Sequence, residues 1–413
     1  MIETLTLAKV RQHFPRPQVE DVSSEITQQM IRLSGHIRPG MSVAITAGSR
    51  GINNIALILQ TIVKTLRIMG AEPFIVSAMG SHGGGTVSGQ KSILHNLVIT
   101  PERIGAPLKI TSDAVEIDTT PSGHILYIDS EAMKADGILL VNRIKPHTAL
   151  GDNMASGLLK MLTVGLGKVP GAMQVHRLGA SGIYQAIMEM AQMALKKLPV
   201  LGGLAIVENG YMETAKVELF LPEEMDEGER KLLKLASSLL LCLPLQELDL
   251  LIVEEMGKNY SGTGMDTHVI GRWKIQGFLE PDSPKIKRIV VLRLSNASEG
   301  NVNGIGLADF TTLKLIQSID WNATLTNIRT TGFWLRGFCP PFLESDREAI
   351  TWALESLQMP QGTPLSAARI RNTLHLEELW LSAQVLKAAS HCEQIGPFKP
   401  LRFNQEGELV PEE

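Results

Sequence analysis

Three side chains, Arg50, His82 and His147, each stand just beyond an apolar run: residues 41–46, 73–78 and 137–141. Such short apolar runs read as buried strands. In an open α/β sheet the loops after the strands' C-terminal ends line the ligand crevice. One guanidinium and two imidazoles on that edge could bind an anion and move protons near neutral pH. Downstream, Lys160 sits among Gly157, Leu158, Leu159, Met161 and Leu162, and His176 follows a glycine-rich break. A lysine in apolar company loses its charge more easily and becomes a nucleophile. A second reading stays open. Asn153, Ser156, Lys160 and Thr163 are spaced as one helix face, which could simply be wet, with the lysine stem snorkelling.

The elements that must carry these groups follow from periodicity. Residues 41–46, 55–69 and 73–78 read as strand, helix and strand, a right-handed βαβ unit closed by Gly70. The second strand empties into Gly80-Ser81-His82-Gly83-Gly84-Gly85-Thr86, where glycines would let backbone approach a ligand. A helix starting near Thr86 or Ser88 could face an anion. This is not Gly-x-Gly-x-x-Gly, and Gly165-Leu166-Gly167-Lys168-Val169 is not a P-loop. Pro146 stops the strand before His147. A helix is expected from about Asn153 with Lys160 in its middle, broken by Gly165, Gly167, Pro170 and Gly171. Residues 22–33 and 223–243 read as helices and 204–207 as a strand. Further on, 248–253 and 289–294 read as strands, and 308–319, 345–357 and 365–381 as helices. A second glycine-rich loop, 257–266, carries Lys258, and Arg272 follows. Either cation could reach a ligand or make a surface salt bridge.

The fold expected is α/β in two domains. Residues 1–246 form a larger Rossmann-like parallel-sheet domain, 247–395 a smaller α/β domain, and 396–413 a tail that is acidic and loose from Gln405, with the active site in the cleft between the domains. The 413 residues suffice for two cores. A net charge of −4 and 5% aromatic residues argue against nucleic acid as partner. Cys242, Cys339 and Cys392 are odd in number and far apart, offering no disulfide framework. No basic segment with an apolar core opens the chain, and no apolar run is long enough to span a membrane. A cytoplasmic setting is therefore expected.

Pro146-His147, then Ser156-Gly157-Leu158-Leu159-Lys160, then His176 resemble the core of the lactate racemase family. The approach to the lysine is longer and less glycine-rich than in the lactate racemases proper, which marks a divergent branch. The resemblance implies a nickel-pincer nucleotide covalently bound to Lys160, with His176 as nickel ligand. It implies His147 and His82 as paired acid/bases, the latter through Gly80-Ser81-His82. Gly48, Ser49 and Arg50 would contact the cofactor, and Arg50, Lys258 and Arg272 the substrate carboxylate. The implied reaction inverts carbon 2 of a 2-hydroxy acid by hydride transfer to and from the cofactor. Lactate, malate and sugar acids are equally open as substrates. Separate biosynthetic proteins would build and load the cofactor, so recombinant protein can lack it.

Two other readings remain at this point. One is a nicotinamide-dependent 2-hydroxy acid dehydrogenase using the same crevice. The other is a non-catalytic α/β protein that binds a nucleotide or sugar phosphate through its glycine loops.

Overall fold

A computed structural model describes residues 2–147, 155–360, 362–389 and 391–411, without the side chains of His176, Ala180, Ser181 and Thr330. The chain divides into two compact units. One is Pro15–Leu240. The other joins Met1–Phe14 to Leu241–Glu413.

In the unit Pro15–Leu240 a six-stranded sheet runs Thr214–Phe220, Val200–Glu208, Gly137–Arg143, Ser42–Ala47, Glu72–Ser77 and Leu108–Lys109. Only Thr214–Phe220 is antiparallel to its neighbour. The inner strands are apolar on both faces because both faces are covered. Ala44, Phe74, Val76, Ile138 and Leu140 enter one core. Val43, Ile45, Ile75, Leu139 and Val141 enter the other, as a side-chain period of two requires. Helices Val22–Met30, Ile55–Ile68 and Val87–Asn96 cover the second face. Ile58, Leu59, Ile62, Val63 and Leu66 give Ile55–Ile68 its buried stripe. Helices Gly179–Lys197 and Met225–Ser238 cover the first face.

The chain leaves Ser42–Ala47 toward Glu72–Ser77 on one side, and Gly137–Arg143 lies on the other. The order thus reverses at Ser42–Ala47, which makes a crevice at its C-terminal end. The loops carrying Arg50 and His147 leave the two strands that flank this point.

The expected helix through Lys160 takes another form. Residues 148–154, including Asn153, lie outside the described residues. Lys145–Pro146 pairs with Ala155–Ser156 as a short antiparallel ladder, so Pro146 sits inside a strand pair. The helix begins only at Leu158 and continues as a π-helical segment, Met161–Gly165. Ser156 is therefore off the helix. Thr163 is buried and donates to the Leu159 carbonyl, so the wet polar stripe does not form. Pro170 and Gly171 lie within the helix Lys168–His176, proline being tolerated in a first turn.

The other unit has a nine-stranded mixed sheet. Its parallel part contains Glu247–Met256, Lys285–Leu294, Phe310–Thr312, Phe342–Leu343 and Ala367–Ile370. The chain's first strand, Thr6–Gln12, belongs to this sheet and pairs with Glu378–Leu381, so these opening residues sit outside the first unit. The stretch 365–381 is two strands, Ala367–Ile370 and Glu378–Leu381, where a helix was expected. Around 308–319 the chain forms Phe310–Thr312 and a short helix, Leu313–Gln317. The tail is tied down. Lys399–Pro400 pairs with the first strand, and Leu401 and Leu409 are buried. Among the described residues no helix is long and apolar enough to cross a membrane.

Candidate active site

The lysine turn is held from two sides. Asn142, near the end of Gly137–Arg143, donates to the Gly157 carbonyl at 2.8 Å. From the helix Met225–Ser238, Glu229 accepts the Leu158 and Leu159 amides at 2.6 and 3.1 Å. These are orphan donors of a helix start, so the carboxylate acts as its cap. Position 157 must be glycine for this approach, since a Cβ there would lie 2.5 Å from Glu229 Oε2. Glycines elsewhere serve the same packing. Gly48 lies against Met161, and Gly80 donates to the Gly165 carbonyl at 3.0 Å. A Cβ on Gly85 would clash with Val169. Gly80 and Gly85 thus fit the loop against the segment that follows Lys160, while Gly83 packs on Gly89. The Thr86 side chain already caps the next helix through Gly89.

Lys160 Nζ lies 2.7 Å from His147 Nε2. Burial first, and the positive charge of Arg50 second, together lower the lysine to about 8. The amine is therefore half neutral at a mildly alkaline pH. His82 Nδ1 lies 2.9 Å from the Met79 carbonyl and 3.0 Å from Ser49 Oγ. A carbonyl can only accept, so the bond to Met79 puts the proton on Nδ1 and leaves Nε2 as the basic nitrogen of the neutral ring. Lys160 and Glu229 also line a pocket with Tyr184, Ile187, Met188 and Leu233, with about 350 Å³ of unfilled space, part of it open to solvent.

Of the residues expected to act together, the structure joins His147 with Lys160 and Ser49 with His82, and brings the Arg50 charge near enough to act on Lys160. His176 ends the helix Lys168–His176, and its side chain lies outside what the structure describes. Among the described residues no three His, Cys, Asp or Glu side chains cluster to hold a metal ion. Lys258 and Arg272 belong to the other unit. Lys258 Nζ donates to the Gly262 carbonyl and to Asn327, stapling its loop. Arg272 is engaged by the Leu307, Ile286 and Lys287 carbonyls and by Asp309 at 2.7 Å. Ile286 and Lys287 open their strand, whereas Lys258 follows the end of the parallel strand Glu247–Met256. The two cations therefore sit at opposite ends of that sheet.

Sequence reasoning missed three site residues. Glu208 accepts from the Asn53 amide at 2.6 Å and pairs with Arg143, tying the loop after Arg50 to the strand before His147. Asn142 and Glu229 are the others. Glu229 carried a legible signal. Met225, Glu229, Leu232, Leu233 and Ala236 form the buried stripe of their helix, so one acidic residue stands on the apolar face.

Burial pushes the Glu229 carboxyl up to about 7 against its two backbone donors. The folded value lies above the unfolded one, so the native state holds the proton more tightly between about 4.5 and about 7. This contribution to stability is full below the lower value and is lost as pH rises through the upper one. Urea unfolding should show stability falling by up to about 3 kcal/mol over that window from this group. Glu229→Gln keeps an acceptor and should flatten the slope; an unchanged slope would show that the carboxyl ionises freely.

The family described as lactate racemase N-terminal domain matches residues 15–183. No curated protein matches the chain. Among solved structures, the lactate racemase apoprotein from Thermoanaerobacterium thermosaccharolyticum is similar in fold. Its TM-score is 0.52 at 12% identity, over 89% of this chain and 98% of that one. A protein from Thermotoga maritima gives a TM-score of 0.50 at 14% identity, over 79% of this chain and 84% of that one. At such identities the structures speak for the fold alone. The segment 15–183 is thus similar to the lactate racemase N-terminal domain, over about two fifths of the chain.

Proposed function

We propose that the protein is a racemase or epimerase of 2-hydroxy acids working with a nickel-pincer nucleotide attached to Lys160. The observation that supports this most is the contact of Lys160 with His147 beside Arg50, at the reversal point of the sheet. The residues present fit the group. Lys160 is a half-buried amine lowered to about 8 and so readily neutral, as an acylation site must be. His176 would supply the protein's nitrogen to nickel. When bound, the group would supply hydride acceptance, which no side chain offers.

The chain's own residues do the rest. Arg50 binds the substrate carboxylate as the cation of this unit. His147 and His82 take and return the hydroxyl proton, one for each enantiomer. Ser49 and the Met79 carbonyl orient His82 with its Nε2 basic. Arg272, held by internal partners, is not assigned to substrate. The same reading includes loading by separate biosynthetic proteins and a cytoplasmic setting.

The test is protein co-produced with cofactor-building proteins and given single enantiomers of lactate, malate and sugar acids. One of them should racemise, and a deuterium placed on carbon 2 should be retained, because hydride does not exchange with water. Racemisation of none, or wash-out of the label, would overturn the proposal.

A further inference from the structure

We propose that His147 is the base that arms Lys160 for its own acylation, so that the pair is a self-acylating dyad for carboxyl-derived electrophiles. The inference deepens the reading of Lys160 as an attachment point and rests on it only for the natural donor. Nζ and Nε2 are 2.7 Å apart, within range for direct proton transfer. Asn142 and Glu229 fix the turn that presents the lysine. The step balances. Nζ attacks the carbonyl or thiocarbonyl carbon and an N–C bond forms. The bond from that carbon to its leaving group breaks, and the leaving group departs with the electron pair. The proton shed by Nζ passes to His147 Nε2 and then to solvent. The acylated nitrogen is no longer basic and makes no further claim on the imidazole. The same ring can then serve the substrate proton in the proposed reaction.

Among the described residues, the charged and titratable groups around Lys160 are His147 and Arg50 on the strand-end loops, Asp226, Glu229 and Arg230 on the helix Met225–Ser238, and Tyr184 on the helix Gly179–Lys197. Burial and Arg50 both favour the neutral amine, and His147 is the base in contact with it.

The experiment uses the full chain without cofactor and limiting acetyl N-hydroxysuccinimide ester, between about pH 6 and about pH 9. Peptide mass spectrometry reads acetylation of Lys160 against the exposed Lys64. In the wild type, Lys160 should outpace Lys64 near neutral pH and reach half its maximal rate near the lysine's value of about 8. His147→Gln should slow Lys160 roughly tenfold or more. His147→Ala should be slowed likewise and recover with added imidazole. An unchanged rate in His147→Gln, no recovery with imidazole, or a wild-type Lys160 no faster than Lys64 would each overturn the dyad. None of these outcomes depends on nickel or on racemisation, so the dyad can fail while the proposed function stands, and the reverse.

Discussion

Lys160→Ala, produced alongside the cofactor-building proteins, should show the unmodified intact mass and racemise nothing. Removing a covalent catalytic group usually costs on the order of 10⁶-fold, which here means background. The variant should still fold. Lys160 is an amine whose burial already opposes its charge, so truncation removes a desolvation cost along with a contact to His147. Thermal unfolding should therefore change by about 1 kcal/mol or less. Lys160→Arg separates charge from chemistry, since a guanidinium keeps the cation but stays protonated and does not acylate. Both variants should lack the added mass, and both should keep the wild-type circular dichroism. A mass increase persisting in either would move the attachment elsewhere and remove the basis for the reading of this site.

The placement of Arg50, His82 and His147 was legible because it depends on little. An apolar run of strand length followed by a loop puts the next polar residue at a strand's C-terminal end, and parallel pairing brings those ends to one edge. The lysine segment was not legible in the same way. Gly157 and Leu158 to Leu162 read as helix on composition, yet Glu229 and Asn142 from distant elements set where that helix starts. Neither contact leaves a trace in the lysine segment itself; only Glu229, on the apolar face of its own helix, hints at one of them. The glycines of 80–85 suggested a ligand cradle, but Gly80 and Gly85 admit Val164 and Val169 of the segment after Lys160.

The second unit shows the ambiguity of short apolar runs. Ala367–Ile370 is buried throughout, so it lacks the alternation that marks a half-exposed strand, and with Leu365, Leu376 and Leu379 it mimics a helical stripe. Thr6–Gln12 does alternate, but its partners lie at the far end of the chain, and no local pattern reveals them. Arg272 shows the limit for cations. A sequence places a guanidinium near a loop, but whether carbonyls and Asp309 already engage it is a tertiary fact.

Lys168→Met should destabilise the unit Pro15–Leu240 more than any exposed change. Lys168 and Asp129 are both fully buried and meet at 2.7 Å, a charge contact at Oδ2. Burial pushes the Asp129 carboxyl up and the Lys168 ammonium down, and each partner pulls the other back toward its charged form. The site also supplies hydrogen bonds. Asp129 Oδ1 accepts the Glu131 and Ala132 amides at 2.8 and 2.9 Å, and Lys168 donates to the Ser77 carbonyl at 2.6 Å and its hydroxyl at 2.9 Å. Lys168 adopts φ +52, a left-handed conformation that a non-glycine residue holds only when its surroundings insist. Losing the lysine strands a buried carboxylate, which costs about 3–5 kcal/mol in comparable pairs. Urea unfolding of Lys168→Met should show that loss, and adding Asp129→Leu should restore part of it, since two apolar side chains leave no buried charge. A loss below about 1 kcal/mol would mean the pair is neutral in the fold. The same change reaches the candidate site. Ser77 ends the strand that feeds the His82 loop, and Lys168 opens the helix that ends at His176. Through its bonds to Ser77, Lys168 therefore ties the strand that feeds the His82 loop to the start of the helix that ends at His176, and the double variant should regain stability without regaining full activity.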